Sequence, residues 1–110
     1  MPNRKPAELD TSIHNSMALL KCPHCKDTYL HQENTTIYQR AEDAEWTRVM
    51  AQNGNEMVVT DFPSQDVVAN PSSRRHGLVI EFWCETCGGE GTTHKLAIYQ
   101  HKGNTFVEWV

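Results

Sequence analysis

At 110 residues, 38% of them hydrophobic, the chain fits one small domain with a modest core. Its formal charge of −4 argues against non-specific nucleic-acid binding, which needs clustered Lys and Arg. No apolar run approaches the roughly 18 to 20 residues of a membrane span, and no apolar h-region follows Arg4-Lys5, so the expectation is a cytoplasmic protein without membrane association.

Residues 1–15 are polar, carry Pro2 and Pro6 and show no periodicity; they are expected as a flexible tail, with one domain over 16–110. Met17-Ala18-Leu19-Leu20 then leads into Cys22-Pro23-His24-Cys25. Residues 28–31 and 36–39 read as two strands, with turn character at Glu33-Asn34 between them. Residues 41–51 are rich in helix formers, and a short helix is expected there against the β-branched Thr47 and Val49. Asn53-Gly54-Asn55 signals a turn, and residues 56–62 read as a strand closed by Pro63. Residues 63–76 are a loop rich in Ser, Asn and Pro. The near-continuous apolar run 77–83 predicts a central strand, buried on much of both faces, that ends in Cys84-Glu85-Thr86-Cys87. Residues 96–100 and 105–109 predict two further strands around a turn at 101–104, where Gly103 can take positive φ. The fold class is mainly β, with a small α+β variant left open, and the last third is an antiparallel meander.

The chain's four cysteines form two CxxC pairs, Cys22/Cys25 and Cys84/Cys87. Two cysteines three positions apart on a tight turn can aim both sulfurs at one point, and two such turns supply a tetrahedral ion. In a reducing compartment thiols bind metal rather than forming disulfides, so structural Zn2+ on Cys22, Cys25, Cys84 and Cys87 is the favoured reading. An iron–sulfur centre uses the same donors. A redox pair lacks its usual strand-to-helix context, and four thiolates leave no open position for a catalytic zinc. His24 and His94 are nearby substitutes should a cysteine fall out of range. Lys21 and Lys26 flank the first pair and would partly offset the centre's negative charge.

The motifs Cys22-Pro23-His24-Cys25 and Cys84-Glu85-Thr86-Cys87-Gly88 resemble the two knuckles of the zinc-ribbon class, including small ribbon proteins of bacterial or phage type. The resemblance covers the knuckles and adjoining strands only. It implies two β-hairpins around one zinc ion and a role in transcription, translation or nucleic-acid machines. The chain departs from short ribbons in the 58 residues between its knuckles, a long insertion that must carry its own strands.

Other residues offer weaker candidates. Arg74-Arg75, with the serines before them, could grip a phosphate or carboxylate, and with Lys95 and Lys102 could form a nucleic-acid or anion face; a solvated loop paired to Glu81 or Glu108 is the plainer alternative. The carboxylates at 42–45 read as a solvated face. No catalytic motif is present, and catalysis would need His31, His76 or His101 to meet a carboxylate in a cleft. The functional expectation is therefore a zinc-stabilised, non-catalytic binding or adaptor protein with a protein partner. Direct nucleic-acid binding and an unrecognised enzyme are the alternatives. The oligomeric state is left open, with self-association through the strand at 105–109 as one route.

Overall fold

The computed structural model describes residues 4–12, 17–88 and 93–110. The described chain runs through β1 (Lys5–Pro6), β2 (Leu9–Asp10), β3 (Leu19–Leu20), β4 (Leu30–Gln39), β5 (Trp46–Asn53), β6 (Glu56–Pro63), a single 3-10 turn at Ser64–Asp66, β7 (Gly77–Cys84), β8 (Thr93–His101) and β9 (Asn104–Trp109). Seven strands make one antiparallel sheet in the order β1-β9-β8-β7-β4-β5-β6, and β2 pairs with β3 separately. The mainly β expectation holds.

The apolar run forms the middle of the sheet. β7 is hydrogen-bonded to β4 on one side and β8 on the other, and none of its residues is fully exposed. The β8–β9 hairpin closes through Lys102 and Gly103, both at positive φ (50° and 82°), the conformation that matches the twist of a two-residue hairpin.

Three expectations are corrected. The two strands with a turn at Glu33-Asn34 are one ten-residue strand, β4; a register shift against β7 between Gln32 and Thr35 absorbs the polar residues as a bulge. The expected helix at 41–51 is instead a turn, with Asp43 at φ 55°, followed by β5. Pairing β5 on both sides, with β4 and β6, outweighs the intrinsic helix preference of its residues. Residues 4–10, expected within a flexible tail, are tied down: Lys5 pairs with Trp109, Pro6 with Glu108 and Leu9 with Leu20. The Arg4 guanidinium donates to the Tyr99 hydroxyl and to Glu108, both at 2.8 Å. The remaining tail residues, 1–3 and 13–15, lie outside the described residues.

Directly paired residues share a face, which sorts the sheet into two surfaces. On one face β7 presents Leu78, Ile80, Phe82 and Cys84 in alternation. Phe82, Leu96 and Trp109 form the buried cluster there, covered by Ala7, Leu20 and Leu30. The knuckle cysteine Cys84 thus stands at the end of the core stripe. On the opposite face the loop 67–76 lies against Gly77, where an added Cβ would meet Asn70 Oδ1 at 2.2 Å and Pro71 Cδ at 2.7 Å. Only glycine permits that approach.

Candidate metal centre

The first knuckle lies between β3 and β4, and the second follows β7. The chain enters each through a strand end, so the sheet itself brings positions far apart in sequence together. The four sulfurs lie within 4.8 Å of one another. Cys22 and Cys87 are 3.6 Å apart, as are Cys25 and Cys84, so each close pair joins one knuckle to the other. A disulfide needs about 2.05 Å, far shorter than this. Four thiolates at about 2.3 Å from one tetrahedral ion are spaced by about 3.8 Å, close to the observed separations. These cysteines could hold one metal ion, and all four are in range, so neither His24 nor His94 is needed as a ligand.

Each knuckle turns sharply after its second cysteine. Gly88 has φ 123° and Lys26 has φ 70°, both positive. The Gly88 conformation follows from its residue type; Lys26 adopts the same sign without that freedom. The turn is held by Lys26 N–H donating to Cys22 O at 3.1 Å and by Cys22 N–H donating to Asp27 O at 2.7 Å. Backbone N–H groups also point at sulfur: His24 N donates to Cys22 Sγ at 3.4 Å. Burial raises the Cys22 pKa, but the N–H groups of Cys25 and His24 outweigh it, and the thiol is held below its ordinary value. For Cys25 the Asp27 N–H acts downward, yet burial and the Cys84 sulfur carry it up. Burial and the other three sulfurs push Cys87 strongly up. A metal-free cluster therefore keeps protons that a bound cation would displace.

Surrounding groups orient the centre. His94 is paired with Phe82 on β7, stacks edge-on to Trp109, and places Nε2 3.7 Å from Cys22 Sγ. Burial, followed by the proximity of His24, lowers its pKa, and a neutral imidazole can donate Nε2–H to that sulfur. Thr86 donates to Asp27 at 2.7 Å, tying one knuckle to the other. Lys21 and Lys26, expected to offset the thiolates, are shared with Glu8 at 3.8 and 2.9 Å.

The candidate cations do not gather. Arg74 pairs with Asp43 and Arg75 with Glu42, in place of the expected Glu81 or Glu108. Lys95 lies 3.8 Å from Glu81, while Glu108 is taken by Arg4. Lys102 sits at the β8–β9 turn; about 20 Å of strand separates that end of β8 from Lys95. The loop serines are used internally: buried Ser72 donates to Gln100 O and accepts from Arg75 N–H. The acidic residues 42 and 43 are solvent-facing, as expected, and also serve as the arginines' partners. The histidines are dispersed too. His31 stacks on Trp83 and pairs with Glu85, both partners about half exposed; His76 accepts from Arg40 N–H; His101 lies beside Phe106.

Compared with protein-family models, with curated proteins and with solved structures, the chain matches none. Among the described residues, no helix is long and apolar enough to cross a membrane.

One feature of the sheet gave no motif in the sequence. Val59, Met50, Ile37, Leu78, Ile98 and Val107 are successive ladder partners from β6 to β9, so they make one apolar row across six strands' worth of width on the core face. Ile37, Met50, Leu78 and Ile98 floor an open groove of about 530 Å³, whose polar lining includes Gln39, His76, Gln100 and Thr105. The signal was there as single apolar residues on six separate strands; only the register aligns them.

Proposed function

We propose that this is a zinc-stabilised, non-catalytic binding domain that docks on a protein component of a nucleic-acid machine. Zinc suits the donor set: four thiolates saturate a tetrahedral ion and leave no position for substrate or water. The ribbon-like knuckles carry the link to nucleic-acid machines, an analogy at the level of class. The observation that carries a protein partner is the apolar groove floored by Ile37, Met50, Leu78 and Ile98. It fits an apolar segment whose flanks can hydrogen-bond to Gln39 and Thr105. Of the four cations that would favour direct nucleic-acid contact, Arg74, Arg75 and Lys95 are already paired with carboxylates, and Lys102 stands apart at the β8–β9 turn.

The test is a photo-crosslinking residue at Ile98 in the zinc-loaded protein, used in native lysate with and without nuclease. Protein adducts that survive nuclease and vanish in Leu78→Asp support the reading. Adducts that require intact nucleic acid, together with a steep salt slope lost in the Arg74→Ala/Arg75→Ala double variant, favour direct nucleic-acid binding.

A further inference from the structure

The two edges of the large sheet are treated differently. At one edge β9 is capped: Lys5 and Pro6 pair with it, and Ala7 N–H donates to Val107 O at 3.1 Å. Proline in β1 then blunts continuation of the ladder. The strand at 105–109, expected as an unprotected edge, is therefore covered. At the other edge, among the described residues, β6 pairs with β5 alone. Its residues from Glu56 to Phe62 are all exposed, including Met57 (47%), Val58 (45%), Val59 (55%) and Phe62 (42%). Eight residues of strand offer about 26 Å of unpaired backbone donors and acceptors. The usual guards are missing: no lysine, no bulge against β5, and proline only at the last position, Pro63. Its one mid-strand charge, Asp61, is held by Arg48 at 2.9 Å.

From this edge we infer that two copies of the chain pair antiparallel through β6, joining their sheets into one. The selection of a second copy rests on symmetry and charge. A two-fold axis that continues an antiparallel sheet stands perpendicular to it, and pairs only residues of the same face. Centred on Val59, it sets Val59 against Val59, Val58 against Thr60, Met57 against Asp61 and Glu56 against Phe62. No carboxylate meets a carboxylate in this register. A parallel in-register pairing would set Glu56 against Glu56 and Asp61 against Asp61, and like charges directly opposite destabilise a ladder. The antiparallel pairing also joins the two apolar rows end to end at Val59, so the row from Val107 to Val59 in one copy runs on from Val59 to Val107 in the next. The groove stays open in such a dimer, so the inference does not depend on what occupies it.

The experiment is light scattering and sedimentation of the metal-loaded full chain across the micromolar range, with hydrogen exchange of residues 56–62. The expected result is a dimer that dissociates on dilution, with exchange in β6 accelerating as it does. Val59→Lys sets two ammonium groups face to face at the axis and abolishes the dimer. Val58→Lys, on the opposite face, sets a lysine against Thr60 of the other copy on each side of the axis, weakens the dimer, and carries the test if Val59→Lys loses its metal or its fold. Val107→Lys, at the capped edge, leaves the dimer intact. A monomer at every concentration overturns the inference. So does a dimer that persists in both folded β6 variants, or one broken by Val107→Lys alone.

Discussion

Removing the metal should cost the protein much of its stability. The two knuckles are joined by loops of about 60 residues, and cross-linking loops of that length restricts the unfolded chain by about 4 kcal/mol in the loop-entropy model. The core against which this counts is small. Phe82, Leu96 and Trp109 form its buried cluster, and full burial of three such side chains contributes about 5 to 9 kcal/mol before conformational entropy is subtracted. A net stability of about 5 to 15 kcal/mol leaves little margin once the clip is gone. The assay is urea unfolding followed by Trp109 fluorescence, with Trp46 and Trp83 replaced by Phe so that the buried reporter is read alone. Chelation, or Cys87→Ser, should lower the midpoint by about 1.5 to 4 M urea or abolish the cooperative transition. A metal-free protein that melts cooperatively within about 0.5 M of the loaded one would refute the reasoning, because the sheet would then hold the knuckles without help.

Three other outcomes are expected. Gly77→Ala forces Asn70 and Pro71 off the sheet and should cost about 1 to 3 kcal/mol in the same melts, with a loss below about 0.5 kcal/mol arguing against the close approach. Gly88→Ala places a side chain at φ 123° and should destabilise by about 1 to 3 kcal/mol, whereas Lys26→Gly should leave stability unchanged or raised by up to about 1 kcal/mol; equal losses at both would show that the turns are not equivalent. Metal binding should strengthen as pH rises, because Cys25 and Cys87 are held protonated in the metal-free cluster and must give up protons on binding. Calorimetry in buffers of different ionisation enthalpy should show that proton release, and an enthalpy independent of buffer would contradict it.

The parts of the fold legible from sequence were those fixed by local chemistry. The run 77–83 declared β7 because seven nearly unbroken apolar residues need cover on both faces. The 101–104 turn was legible because Gly103 supplies positive φ; Lys102 follows it into that region only because the hairpin requires it. β5 was misread because Ala41, Glu42, Ala44 and Glu45 carry helix propensity, and nothing within 41–51 reveals that β4 and β6 will flank it. β1 was invisible for a simpler reason: two residues, one of them proline, make no pattern, and their strand exists only because β9 offers an edge. The four-cysteine cluster was legible from CxxC spacing, which is a local constraint on where sulfurs can point. The positive φ of Lys26, the fate of Arg74 and Arg75, and the apolar row were not, since each depends on partners contributed by other segments.

The central claim is that four thiolates from the two knuckles hold one zinc ion and so tie the N-terminal segment to the end of β7. X-ray absorption at the zinc edge, on protein purified with its native metal and quantified for metal content, tests it most directly. The account predicts one zinc per chain with four sulfur neighbours at about 2.3 Å. Iron in place of zinc, nitrogen in the first shell, or less than a stoichiometric amount of any metal in well-folded protein would contradict it.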